Sequence, residues 1–392
     1  MQVEPGSKGK IIVFGILFWY PLAGVTYQFL HYLLGLRRLG YDPYYIEDSG
    51  RWIYDPALNE MSPDASGNIA AVLPVLERYG FGDRWAFRGN YPNGQCYGKS
   101  EKEILELYRV ADAMLNVTGA QEIRDEHLAC QRRIYVESDP FPTQVRVAEG
   151  HAETIAMLDK HDTFFTFGEN VGHPDCTLPV ERYDWQPTRQ PVAVDLWERA
   201  DDTPGRAYNT ITTWHNKGKN IEFRGDTYYW TKDREFERFL DLPRKTGAKF
   251  ELATGVSEEV DARLRAYGWD RVDSLEISGN VDRYREYIQG SRGEFTVARD
   301  QYVRPRTGWF SDRTACYLAA GRPVITQETG FSRVLPEGKG LFGFDTMDDI
   351  LAAVDEIESD YAGNCDAART IATDCFSAEK VVGSLMSRAG LA

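Results

Sequence analysis

Two hydrophobic periodicities alternate along the chain. Lys10 to Leu17 (KIIVFGIL) is a continuous apolar run, the pattern of a strand covered on both faces. Thr26 to Leu39 then places Phe29, Leu33, Leu36 and Leu39 at helical spacing, with Gly40 as a C-cap, and Tyr41 to Asp48 reads as a second strand. Strand, helix, strand in this space is one right-handed βαβ unit. Helices are expected at 70–79 and 101–110, a strand at Arg133–Glu137, a helix at 142–158 and a buried strand at Thr163–Gly168. Residues 183–207 carry three prolines and a charged, glycine-containing end, which places a domain boundary near 198–207. The alternation then restarts: strands at 208–214, 249–253, 294–298 and 322–327, with helices at 232–240, 258–267, 283–291, 311–320 and 347–357. The tail, 361–391, is helical. The pattern predicts an α/β chain of two Rossmann-like doubly wound domains, 1–200 and 201–375, facing a central cleft. Residues 376–392 are expected to form a helix that packs back toward the first domain.

Composition narrows the class. A chain of 392 residues buries a large core. Lys and Arg total 45 against 60 Asp and Glu, a formal charge of −15. That balance disfavours nucleic acid and anionic membrane as partners, because both select a basic surface. Six cysteines form no CxxC pair and read as reduced thiols of a cytoplasmic protein. The apolar run Ile11–Val25 follows Lys8 and Lys10 as a signal peptide would. Pro21 and Gly24 interrupt it, and it is too short to span a bilayer, so a buried strand and its loop is the better reading. Asn116-Val117-Thr118 is then a chance sequon.

The richest stretch is Arg304 to Phe331, RPRTGWFSDRTACYLAAGRPVITQETGF. Thr307-Gly308 gives a tight turn, and Ser311 or Asp312 is the N-cap candidate of the next helix. A helix N-terminus offers free N–H groups and partial positive charge to a phosphate, and Arg304, Arg306 and Arg313 surround this one with guanidinium donors. Lys232 adds a further cation from an earlier helix. Glu328-Thr329-Gly330-Phe331 forms a second turn on the same edge, where Gly330 allows close backbone approach. Asp312 competes with a phosphate by satisfying the helix dipole itself. Surface ion pairing is the alternative for each arginine. Trp214 either stacks on a base or packs in the core.

The loops of the first half offer candidates for a second ligand and for a general base. Gly24 and Thr26 lie in the loop after the first strand. Asp139 follows the strand Arg133–Glu137, well placed to take a proton, or serves as a turn residue. Glu169 and His173 follow the strand at 163–168, with His173 either a base or structural. GxGxxG, Walker, GxSxG and HExxH motifs are missing at the required positions.

The segment Gly308–Phe331 resembles the donor-site segment of glycosyltransferases of the GT-B class. Similar stretches are Asp139-Pro140 with Thr143-Gln144, TFGENVG at 166–172, WQPTRQPV at 185–192 and SRGEFTVA at 291–298. The resemblance implies a metal-independent enzyme without a bound cofactor, moving a sugar from a nucleotide-diphosphate sugar such as a UDP-sugar to a small-molecule or glycan acceptor. It implies donor contacts from Trp214, Lys232, Arg304, Arg306, Gly308, Ser311, Asp312, Arg313, Gly330 and Phe331. The two glutamates common in retaining members are replaced, at the aligned positions, by Gly308 and Cys316. A sugar-nucleotide epimerase or hydrolase, a non-catalytic binding protein of the same fold, and a DNA-base glycosyltransferase are the alternatives.

Overall fold

The computed structural model describes residues 8–391 apart from 57, 59, 90–93, 199–204 and 217. In the first domain, β1 (Lys10–Phe14), β2 (Asp42–Glu47), β3 (Trp85–Arg88), β4 (Cys96–Gly98), β5 (Ala113–Val117), β6 (Arg133–Glu137), β7 (Thr163–Thr166) and β8 (Trp185–Pro187) form one sheet. Its order is β8-β7-β6-β5-β1-β2-β3-β4, parallel except between β3 and β4. The second sheet comprises β9 (Ala207–Ile211), β10 (Lys249–Ala253), β11 (Asp270–Val272), β12 (Gly293–Thr296), β13 (Val324–Gln327) and β14 (Leu341–Phe344). Its order is β11-β10-β9-β12-β13-β14, all parallel. Each sheet reverses its strand order beside its own first strand, which defines two Rossmann-like doubly wound domains.

The apolar runs account for these sheets. In β1, Ile12 and Phe14 enter one cluster with Ile104, Tyr108 and Met114, whereas Ile11 and Val13 enter the opposite one with Phe29 and Leu33. Alternate side chains thus bury on both faces, as a strand inside a parallel sheet requires. Helix α1 (Ala23–Arg38) covers the second of these faces. The helix expected at 142–158 is two helices, α2 (Pro142–Ala148) and α3 (Ala152–Leu158). Gly150, at φ +75°, breaks it, and His151 caps the second piece by accepting from the Thr154 N–H at 3.3 Å. Strand β5 was not expected from the sequence, although its AMLNV run is buried throughout. Asn116 of the sequon lies on it, fully buried and donating to the Gln121 carbonyl at 2.8 Å.

The expected boundary near 198–207 falls largely on 199–204, outside the described residues. After the second sheet the chain returns. Helix α6 (Ala378–Arg388) packs on α1, where Gly35 meets the Ala378 carbonyl and Val382. Arg38 pairs with Glu379 at 3.0 Å, and Arg132 donates to the Ala389 and Gly390 carbonyls. All six cysteines are unpaired. No helix among the described residues is long and apolar enough to cross a membrane.

Candidate active site

The carboxyl ends of β9 and β12 flank the point where the second sheet reverses its order, the position at which doubly wound sheets bind ligands. A cavity of about 560 Å³ lies there, between the domains. Its second-domain wall includes Thr212 and Thr213 after β9, Arg299 after β12, and Lys232 at the N-terminus of α4 (Asp233–Arg238). Arg313, in the first turn of α5 (Asp312–Ala319), completes that wall. Tyr20, Leu22 and Tyr54 form the first-domain wall. A chamber of about 340 Å³ shares Leu22, Arg299 and Arg313 with this cavity and extends to Gly24, Gln28 and Asp312.

Three cations converge on the cavity. Arg313 is held by three acceptors: Glu294 Oε1 at 2.6 Å, the Ile211 carbonyl at 2.7 Å and Thr296 Oγ1 at 3.0 Å. Arg299 donates to Asp139 Oδ1 at 3.0 Å and to the Tyr302 hydroxyl at 2.6 Å, and its guanidinium lies 3.5 Å over the Trp230 ring. The Tyr302 hydroxyl also donates to Asp139. The Lys232 ammonium makes no hydrogen bond or ion pair with any described residue, although the residue is only 8% exposed. Burial first, then the charges of Arg313 and Arg299, push its pKa well below the usual lysine range. Against three cations stand Glu294 and Asp139. The Asp312 carboxyl is raised to about 7 by burial and by the charge of Asp139, so near neutral pH it is about half ionised and cancels only part of the helix N-terminus. The cluster is short of negative charge.

Several expected contacts lie elsewhere. Arg304 is committed to Asp300 at 2.7 Å and stacks 3.9 Å over Tyr228, away from the cavity. Arg306 pairs with Asp175 at 3.0 Å, and its carbonyl accepts from Asn170 at 2.8 Å. Gly308 and Gly330, at φ +80° and +99°, press on Asn170, with no room for a Cβ at either. The turns read from the sequence as a phosphate cradle thus form a seam with the first-domain loop 168–177. There the Asn170 N–H donates to the Thr307 carbonyl, and the Thr177 N–H to that of Pro305, each at 3.0 Å. Ser311, by contrast, lines the smaller chamber at the N-cap position, although it makes no side-chain cap; its carbonyl accepts from Gln190 at 2.9 Å. Phe331 packs on Phe310, and Trp214 stacks on Phe236 at 5.4 Å, so both are core residues. Thr26 turns into its own helix, donating to the Leu22 carbonyl.

Of the expected bases, Asp139 alone stands at the cleft, through Arg299. His173 is exposed on the seam loop. Glu169 is bound by Arg189 at 2.6 Å and lines a separate cavity of about 210 Å³ under α6. Arg299 and Tyr54 were missed, and Tyr20 lay unnamed in the loop from Phe18 to Tyr27 that was singled out for Gly24 and Thr26. Arg299 was signalled by its place directly after the EFTVA strand; Tyr54 carried no local signal. One cluster, Asp48 with Glu126 and His127, has metal-ligand types within reach. Its carboxylates are already taken by Arg88, Arg124 and Tyr108, so the donor set does not suit a cation.

No protein-family model matches the chain, and no curated protein matches it by sequence. Solved structures do match over nearly its whole length. An α-glucosyltransferase complexed with UDP and a 13-mer DNA containing an HMU base superposes with TM-score 0.56 at 9% identity, over 98% of this chain and 100% of that one. Anabaena HepE complexed with UDP and glucose gives 0.56 at 9% identity, over 97% and 99%. Sucrose-phosphate synthase from Thermosynechococcus elongatus gives 0.56 at 10% identity, over 97% and 98%. The chain has the fold of GT-B glycosyltransferases.

Proposed function

We propose that this protein is a glycosyltransferase that takes a sugar from a nucleoside-diphosphate sugar, the UDP-sugars being the first class to test. The observation that carries the reading is Lys232: a buried ammonium without a carboxylate partner, beside Arg299 and Arg313, in the cavity at the switch point. A diphosphate supplies the missing negative charge at the position where such a sheet presents ligands. The solved structures of the same fold that contain UDP support the nucleotide class.

In the proposed reaction an acceptor hydroxyl oxygen bonds to the anomeric carbon. The bond from that carbon to the diphosphate oxygen breaks, and its electron pair leaves on the diphosphate. Lys232, Arg299 and Arg313 stabilise that charge, with no bound cofactor or divalent metal in the scheme. Asp139 Oδ1 positions Arg299. Its Oδ2, which receives only a donation from Ser138 at 3.3 Å, is assigned the acceptor's proton. We place the protein in the cytoplasm, with the first domain, residues 1–200, binding the acceptor and 201–375 the donor.

The test measures UDP, GDP or dTDP release from the corresponding sugar donors in EDTA, with product analysis against an acceptor panel. Transfer that Lys232→Met abolishes is the expected result. Binding without turnover across the panel would refute the enzyme reading, and a released or epimerised sugar as the sole product would refute transfer.

A further inference from the structure

The cavity has two unlike walls. The second-domain wall is cationic. The opposite side carries no charge and consists of Tyr20, Leu22 and Tyr54 from the first domain and Ser274, Leu275 and Ser278 from the second. Tyr54 belongs to a hairpin, Ile53–Asp55 paired with Glu60–Ser62, inserted after β2. Met61 is its register partner and lies on the same hairpin face.

This wall is fixed before any ligand arrives. Glu47 accepts from the Phe18 and Trp19 N–H groups, and buried Asn68 donates to the Phe18 carbonyl at 2.7 Å and the Tyr54 carbonyl at 2.8 Å. The Tyr54 N–H donates to the Trp19 carbonyl at 2.9 Å. The rings of Trp19, Tyr20 and Tyr54 thereby follow one another, Trp19 stacked on Tyr20 with centroids 5.1 Å apart and Tyr20 tilted against Tyr54 at 5.7 Å. Of the six large hydrophobic side chains exposed among the described residues, Trp52, Leu58 and Met61 lie on or beside the hairpin that carries Tyr54, and Leu275 lines the cavity with Tyr54. Such clustering around one residue of the cavity lining marks a binding surface.

Resting on the glycosyltransferase reading, we infer that this platform holds the acceptor, and that the acceptor is a small hydroxylated aglycone with an apolar, ring-shaped body. The rings stack on Tyr20 and Tyr54 while the hydroxyl reaches inward to the cations and the donor. Leu58, Met61 and Leu275 add aliphatic surface, which an apolar aglycone covers more fully than a glycan does. Around Arg51 the hairpin segment carries Asp55, Glu60 and Asp64, a net acidic rim that repels DNA and anionic bilayers.

The test uses the full chain and a neutral naphthylamine dye, N-phenylnaphthylamine, whose fluorescence rises on apolar burial. Binding that methylumbelliferone displaces, and that Met61→Asp with Leu275→Asp weakens by about tenfold or more, is expected. Both positions are exposed, so the fold is kept; Met61 lies outside the cavity lining, and Met61→Asp alone should change UDP affinity, measured by calorimetry, by less than about twofold. Dye binding untouched by the double variant, or displaced by a DNA oligonucleotide or phosphatidylserine vesicles but not by methylumbelliferone, would overturn the inference. Wild-type protein that binds UDP but not the dye refutes the platform alone. Wild-type protein that binds the dye but no UDP refutes the donor reading alone.

Discussion

Replacing Lys232 by methionine should move ligand affinity and stability in opposite directions. The unbound protein holds a desolvated amine near the charges of Arg313 and Arg299, with no acceptor of its own. Methionine keeps the volume and removes the buried polar group, whose desolvation costs about 1–3 kcal/mol. For a domain of this size each kcal/mol raises Tm by about 2–4 °C, so unliganded Lys232→Met should melt higher than wild type. The same change deletes a charge-assisted contact to phosphate worth about 1.5–3 kcal/mol, an increase in UDP Kd of about 10- to 150-fold. The depressed lysine pKa adds a signature. A bound diphosphate restores the charged form, so UDP binding takes up a proton above the unliganded pKa. Calorimetry in buffers of different ionisation enthalpy reads this directly, and Lys232→Met should abolish it. A variant that melts lower than wild type, or binds UDP as tightly, refutes the assignment of Lys232.

Three further outcomes follow from the same geometry. Asp139→Asn should loosen Arg299 and raise the UDP Kd by about tenfold, while Tyr302→Phe, which leaves the carboxylate in place, should cost less; equal losses would remove Asp139 as the positioning group. Glu47 is raised by burial to about 8, and Glu137 and Asp312 to about 7, each well above the usual carboxylate range. The fold holds these protons more tightly than the unfolded chain, so their contribution is fully present below about pH 4 and lost as pH climbs through 7 and 8. Buried His31, lowered to about 3, acts oppositely but only below its ordinary value of 6.5. His161, lowered to about 4, acts as His31 does, and Lys232, held well below the usual lysine range, raises stability with pH above its own folded value. The test is therefore the difference between two proteins: wild-type Tm should lose ground to that of Asp312→Asn as pH rises from about 4 to 7, and parallel profiles contradict it. Gly308→Ala puts a methyl into Asn170 at a left-handed φ, so denaturant unfolding should show a loss of about 2–4 kcal/mol, and a neutral result would contradict the seam.

The fold was legible where burial is two-sided. Continuous runs such as KIIVF and EFT gave their strands because both faces of a parallel sheet are covered, and the restart after residue 207 gave the second domain. Short strands without a long apolar run, such as Trp85–Arg88, and the Tyr54 hairpin carried no such signature. The site was legible only in part. Lys232 and Arg313, singled out because a helix N-terminus concentrates charge, do line the cavity. Arg306, Gly308 and Gly330 were assigned to phosphate although they bind the first-domain loop, because a tight glycine turn with arginines has the same local pattern in either role. Only the long-range partner, Asn170 or Asp175, decides between them, and sequence order hides that partner.

The central claim is that the cationic cavity between the domains exists for a diphosphate. The most direct measurement is calorimetric titration of the wild-type protein with UDP and, in parallel, with uridine, both in EDTA. The account predicts one-to-one UDP binding and a loss of about a hundredfold or more for uridine, since Lys232, Arg299 and Arg313 meet only the phosphates. Equal affinity for the two, or no binding of UDP, GDP or dTDP, would contradict it.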